Sequence, residues 1–446
     1  MRSMVTLPTE LIVEIAENLS GDLKNFSLTS HRLRHAISHI LFRTLNIACP
    51  LVSGMLLEHV LVKYRHAISR IHLHIRLRPN LPEDDIDEYD INGMPSIWGT
   101  ERSYTLLQLV RGEIFSHIDS FSVHFDPSQF DLEGCWFGDG GTWGGGGGES
   151  ISVFQDYEDD EAWEGDEGTN GDGMMLNFER LYIWRAQYNQ VFEALVMNLN
   201  ITKLRFVNLL PKRASIWYSD DWVNMLQRLT HFDVGIFGAE SAGWHGNTTD
   251  GFIDFINEFL NFIAFYLTNV KHLRLEASPL SVFGTDTYIT GWHDPFPLHG
   301  PASALHSLEL KNIVLGNDVM DYLRDQGGTL RELTLHNCMC YSCKLGPEPR
   351  WSHIWDTVSK YCKVLRRLNF LQDEEPPLGS FRIANRMARK KKDLIVWRYA
   401  DIDPERGTVL EDGDANVGEV ITGCAFEEYC DLQETLARRR KNSIDE

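Results

Sequence analysis

Cys338, Cys340 and Cys343 follow one another closely, with His336, His353 and Cys362 nearby in the chain. Thiolates at such spacing can chelate zinc, but zinc sites are usually built from two Cys-x-x-Cys units, and this run holds no pair of them. Gly291-Trp292-His293-Asp294, with His299 after it, sets an imidazole beside a carboxylate, as general acid–base chemistry requires. No nucleophile motif, second carboxylate or metal partner stands at a readable spacing from it, so a polar loop is the expectation. The glycine run Gly144 to Gly148 has the flexibility of a phosphate-cradling loop. It lacks the Gly-Lys-Ser/Thr that would follow, and carboxylates on both sides would repel phosphate. There is no Walker loop, dinucleotide fingerprint or nucleophile elbow. We therefore expect no catalytic residue, no metal and no cofactor.

The charge distribution narrows the partners. The net charge is −22 over 446 residues. Its excess lies in two stretches without Lys or Arg: 13 acidic residues between Asp131 and Gly173, and six between Glu83 and Asp90. Such a chain is repelled by nucleic-acid phosphates and anionic lipid, so neither nucleic acid nor membrane is expected as a main partner. The 131–173 stretch, with its glycine run and isolated Trp136, Trp143 and Trp163, is expected to be a solvated insertion. Its alternative is an acidic–aromatic recognition segment for a basic partner. Residues 79–100 and 284–301 are expected to be further insertions. Phe252 to Leu267 is apolar but broken by Asp254, Asn257, Glu258 and Asn261 at helical spacing, which predicts an amphipathic helix and not a membrane span. Early glutamates at 10, 14 and 17 leave no apolar leader, so eight cysteines imply reduced thiols in the cytoplasm or nucleus. The basic runs at 389–392 and 438–441 fit either nuclear-import signals or a solvated helix face.

The elements that would position any binding chemistry start at the N-terminus. Residues 7–41 read LPTELIVEIAENLSGDLKNFSLTSHRLRHAISHIL. Pro8 suits a first helical position, and Leu11, Ile12, Ile15 and Leu19 make an apolar stripe behind it. Ser20-Gly21-Asp22 breaks that helix, and Asp22 is placed to cap a second one carrying Leu23 and Phe26 inward. Ser30 is placed to cap a third, whose apolar face is Leu33, Ala36, Ile37, Ile40 and Leu41. Three helices in ~35 residues bury too little surface to be comfortable alone, so a partner or the following domain must share their apolar face.

This segment resembles the F-box family, whose pattern is matched by Leu7, Pro8, Glu10, Leu11, Ile12, Ile15, Asp22, Leu23, Ser27, Leu28, Leu33 and Arg34. The run at 28–34 is similar to fungal members. The sequence departs from the pattern in a shorter first loop and in Leu33 where Trp is common. The resemblance implies a Skp-type adaptor as partner and, through it, a cullin scaffold. It places Leu7, Pro8, Leu11, Ile12, Ile15, Leu19, Leu23 and Leu28 at the adaptor contact.

Behind it an apolar-x-x-apolar-x-apolar shape recurs: FRTLNI at 42–47, ISRIHL at 68–73, IDSFSV at 118–123, FERLYI at 178–183 and ITKLRF at 201–206. It continues as LTHFDV at 229–234, VKHLRL at 270–275, LHSLEL at 305–310, LRELTL at 330–335 and LRRLNF at 365–370. With polar residues required between the apolar ones, roughly one or two matches arise by chance. Nine of these ten pass, FERLYI failing at Tyr182, so the recurrence is real. Helical segments such as Met55–Leu61, Val191–Met197, Trp222–Leu226, Val319–Leu323 and Trp355–Cys362 lie between them. Strands alternating with helices imply parallel pairing, and units unable to close a core alone imply a solenoid. The motif resembles a degenerate leucine-rich repeat, with Cys338 at the family's Asn/Cys position.

The expected fold is thus α/β: a three-helix F-box over 1–47, then an irregular leucine-rich-repeat-like strand–helix solenoid over 48–375, then a C-terminal extension over 376–446 packing on the solenoid end. The expected function is a non-catalytic substrate receptor of a cullin–RING ubiquitin ligase, with an unidentified protein substrate on the repeats. The alternative is an F-box scaffold protein that recruits no ligase.

Overall fold

A computed structural model of the chain describes residues 7–19, 22–52, 54–79, 95–99, 104–130, 171–237, 255, 258–259, 261–279, 305–342, 350–375, 378–390, 397–403 and 408–442. It is α/β, with extensive parallel strand pairing, and falls into two units. The first comprises Met1–Arg78, Ile86–Asp126 and Phe178–Arg205; the second comprises Pro79–Asp85, Pro127–Asn177 and Phe206–Glu446.

The first unit opens on α1 (Thr9–Glu17), α2 (Leu23–Leu28), α3 (His31–Ala36) and α4 (Ser38–Leu41). Pro8 sits at the N-cap, one position earlier than its spacing predicts. Ser30 caps α3 as expected, its hydroxyl accepting from the Arg32 amide at 3.2 Å. Asp22 stands at the N-cap of α2 as expected, its carbonyl accepting the Phe26 amide at 2.8 Å. Its side chain makes no bond to the helix amides and accepts from the Asn25 side chain at 3.4 Å. The predicted third helix is divided at Ile37, where the Ser38 hydroxyl donates to the His35 carbonyl and competes with the helical bonds. The fully covered centre is Ile12, Ala16, Leu33 and Ile37, ringed by Leu7, Leu23, Phe26, Ala36, Ile40 and Leu41.

Next come β1 (Thr44–Cys49), α5 (Gly54–Tyr64), β2 (Arg70–Ile75), α6 (Tyr104–Val110) and β3 (Ser120–Phe125). These strands pair in parallel and in register, so that Thr44, Arg70 and Ser120 form one row and Cys49, Ile75 and Phe125 another. Alternation sends Ile71, Leu73, Ile75, Phe121, Val123 and Phe125 to the buried side. There Phe125 meets Tyr188 and Phe192 on a long helix, at ring separations of 5.1 and 6.5 Å.

That helix corrects one strand expectation. FERLYI at 178–183 is helical: α7 (Gly171–Leu181) ends there, and α8 (Ile183–Val196) begins after Tyr182. Phe178, Leu181, Tyr182 and Arg185 recur at helical spacing, and the Arg185 guanidinium lies 5.6 Å from the Phe178 ring. The apolar Tyr182 removes the two-residue alternation that a half-buried strand needs. The other nine recurrences are strands. The next, β4 (Lys203–Leu209), starts in the first unit, where the Lys203 amide donates to Asp119, and ends in the second.

The second unit continues with α9 (Asp220–Arg228), β5 (His231–Ile236), β6 (His272–Glu276), β7 (Ser307–Lys311), β8 (Val314–Leu315), α10 (Asn317–Gln326) and β9 (Glu332–His336). It closes with β10 (Met339–Tyr341), α11 (Trp351–Tyr361), β11 (Arg367–Leu371), α12 (Arg382–Lys390), β12 (Tyr399–Asp403), β13 (Thr408–Glu411), α13 (Gly413–Thr422) and α14 (Cys424–Asn442). Strands β5, β6, β7, β9 and β11 are parallel and in register. A second sheet in the order β13-β12-β10-β8 was not foreseen; its β12 and β13 come from the segment expected to be a C-terminal extension. Trp351, Trp355, Phe370, Trp397 and Tyr429 stack together beside it, and the Trp351 indole donates to the Arg398 carbonyl at 2.8 Å.

Three asparagines have left-handed backbone: Asn208, Asn312 and Asn337, with φ of 55°, 56° and 51°. Each stands two residues after the last apolar position of its motif. The Asn312 amide also donates to the Ala277 carbonyl at 2.8 Å. Asparagine tolerates this conformation better than other residues with a Cβ. Asn312→Ala should therefore lower unfolding stability by roughly 1–3 kcal/mol in chemical denaturation, and Asn312→Gly, which keeps the backbone, by less. Equal losses would show that backbone conformation is not what the asparagine supplies.

Candidate functional site

The N-terminal helices carry the predicted binding residues, and their burial sorts them. Ile12 is fully buried between α1 and α3 and cannot meet a partner, which corrects its assignment to the adaptor contact. Leu7, Ile15, Leu19 and Leu23 are half-buried. Leu7 also gives its carbonyl to the Arg32 guanidinium at 2.9 Å. Pro8 is exposed, Leu11 is 45% exposed and Leu28 is 61% exposed. Pro8, Leu11 and Ile15 lie three and four apart, on the flank of α1 beside the buried Ile12–Ala16 stripe. A fully buried leucine gains ~1.5–3 kcal/mol, so Leu11 and Leu28 each leave a good part of that unrealised in the isolated chain.

The predicted chemistry candidates do not gather into one site. Cys338 is fully buried, and its thiol donates to the Leu310 carbonyl at 3.3 Å. The Cys362 thiol points to the Leu323 carbonyl, and the His336 ring bonds Asp373 at 2.7 Å. His353 accepts the Arg350 amide at the start of α11. The bonds from His336 and Asn337 hold the Asp373 carboxyl below its ordinary range. Burial pushes the Cys338 and Cys362 thiols up to about 12 and the Cys340 thiol well above its usual value, so all three stay protonated near neutrality. Cys343, His293, His299, most of 131–173 and most of 79–100 lie outside the described residues. Among the described residues no group of three His, Cys, Asp or Glu is placed to hold a metal ion, and no helix is long and apolar enough to cross a membrane.

The second unit's outward strand face neutralises itself. Arg274 on β6 contacts Asp233 on β5 at 3.2 Å, Glu276 at 2.8 Å and Glu309 on β7 at 2.8 Å. Lys311 completes the group through Glu276 at 2.9 Å. The basic run at the chain end is partly structural too: Arg439 on α14 donates to the Cys362 carbonyl at 2.8 Å. Sequence reading missed this network because its members are far apart in the chain. The signal that could have found it is the polar position between the last two apolar residues of each motif, which register aligns across strands.

Alkylation at about pH 8 should modify exposed Cys424 in the native protein and spare Cys338, Cys340 and Cys362 until the chain is unfolded. Peptide mass mapping reads this directly, and Cys338 labelling as fast as Cys424 would overturn the burial account.

No protein-family model matches the chain, and no curated protein matches it.

Proposed function

We propose that the chain is the substrate-receiving subunit of a cullin-type ubiquitin ligase. In this reading α1 to α4 are an F-box that docks a Skp-type adaptor through Pro8, Leu11, Ile15 and Leu28, with Leu7, Leu19 and Leu23 at the margins. The strands and helices that follow are a degenerate leucine-rich-repeat solenoid that holds a protein target. The observation that carries the reading is the pair of exposed leucines, Leu11 and Leu28, inside a motif whose own core is complete without them. An exposed leucine alone is ordinary. Two at motif positions of a helical unit this small support a face kept for a second protein.

The in-register strands from successive motifs support the second half of the proposal. Each contributes one row of outward side chains to a continuous surface within its unit, which suits a folded or extended protein ligand. This chain supplies no reacting group in such a mechanism. It holds the target near a ubiquitin-loaded enzyme, and the rate gain comes from proximity.

Co-purification of the full chain with a Skp-type adaptor tests the docking step. Wild type should capture the adaptor, and Leu11→Asp with Leu28→Asp should weaken capture by about tenfold or more with little change in melting temperature. Ile12→Asp should instead unfold the helical unit, because it places a charge in its centre. Failure of wild type to capture the adaptor, or full capture by the double variant, contradicts the assignment. Adaptor capture without cullin would favour the scaffold function instead.

A further inference from the structure

The parallel strands β5, β6, β7, β9 and β11 of the second unit carry the carboxylates Asp233, Glu276, Glu309 and Glu332, and each of these is paired. Asp233, Glu276 and Glu309 hold Arg274, Glu276 also holds Lys311, and Glu332 holds Arg367 at 2.9 Å. One residue ahead of the strands the balance changes. The Lys271 amide donates to the Thr230 carbonyl, the His306 amide to that of Lys271, the Arg331 amide to that of His306 and the Arg366 amide to that of Arg331, each at 2.8 Å. Thr230, Lys271, His306, Arg331 and Arg366 thus form one row at the strand entries, and that row contains no carboxylate. Lys271, Arg331 and Arg366 are exposed. Among the described residues, no side-chain hydrogen bond or ion pair holds any of these three.

We propose that the strand-entry row of Lys271, Arg331 and Arg366, with His306 among them, binds an acidic peptide segment of a partner protein. Neighbouring strands lie about 4.8 Å apart, so the row runs about 14 Å across the sheet from Lys271 to Arg366. Like charges on adjacent strands oppose folding. Carboxylates of an extended peptide laid across the strands relieve that repulsion through charge-assisted bonds, the two guanidiniums offering paired donors. Single-stranded nucleic acid is the poorer fit, because it is held by aromatic platforms set between cations. Neither this row nor the next, which is His231, His272, Ser307, Glu332 and Arg367, contains Phe, Tyr or Trp. The net charge of −22 also opposes a long phosphate backbone more than a peptide with a few carboxylates.

The electrostatics agree with this geometry. Burial and then the neighbouring Arg331, Lys271 and His272 lower the His306 pKa, so the cations of the row act on one another. His306 is therefore neutral near pH 7, and the charge that meets a ligand rests on Lys271, Arg331 and Arg366. The proposal rests on the ligase reading only in naming the acidic segment as part of a substrate; the surface itself does not depend on the adaptor.

Fluorescence anisotropy of the full chain with a labelled oligoglutamate peptide at neutral pH tests it, with oligoadenylate RNA of equal charge as the comparison probe. Wild type should bind the peptide more tightly than the RNA. Arg331→Glu with Arg366→Glu should weaken peptide binding about tenfold, while melting temperature and adaptor capture stay unchanged. Arg331→Gln with Arg366→Gln, which brings in no new charge, should weaken it by a smaller factor. Arg382→Glu with Arg386→Glu on α12, an equal change of charge at exposed positions, should leave it unaltered. Loss of adaptor capture in wild type would fail the ligase reading without touching this one. Absence of peptide binding, equal or tighter binding of RNA, indifference to the Arg331 and Arg366 changes, or an equal loss in the α12 variant overturns the proposal. So does binding that emerges only after deletion of residues 131–170, because the occupant would then be the chain's own acidic segment.

Discussion

The constraint on which the structure depends is in-register parallel pairing of strands that bury their motif positions, all three of them in seven of the nine strands. In LHSLEL, Leu305, Leu308 and Leu310 are all essentially inaccessible, and the same holds for Leu330, Leu333 and Leu335. One-residue slippage would turn such a set toward solvent, so burial fixes register. Register in turn aligns the intervening polar residues into rows on the outward face of each unit. The hydrophobic core and the outward strand face are thus specified by alternate residues of the same short segments.

The two units use that arrangement differently. In the second, Arg274 is surrounded by three carboxylates from β5, β6 and β7, so that its charge is balanced within the sheet. In the first, burial and then the neighbouring His74 and Arg205 depress the His72 and His124 pKa values. The N-terminal helices hold a surplus in apolar form. Ile12, Ala16, Leu33 and Ile37 close their centre, while Leu11 and Leu28 remain outside it.

Much of this was legible in the sequence because the period-two pattern is strong where one side of a strand is buried. Nine motif strands were readable for that reason, and FERLYI failed where Tyr182 broke the polar spacing. Strands β8 and β10 were not readable, since two or three buried residues such as Met339–Tyr341 carry no alternation. The left-handed asparagines were likewise missed as a group, although their common offset from the motif was present in the letters. On α1, helical spacing alone could not decide between Leu11 and Ile12 as the inward residue. Packing against Leu33 and Ile37 decides it, and that contact spans more than a turn of any local pattern.

The central claim is that the N-terminal helices complete their burial on a second protein. Amide hydrogen exchange of the full chain, alone and with a Skp-type adaptor, measures that most directly. The account requires added protection across α1 and α2 on adding the adaptor, with β5 to β7 unchanged. Equal exchange in α1 and α2 with and without the adaptor would contradict it.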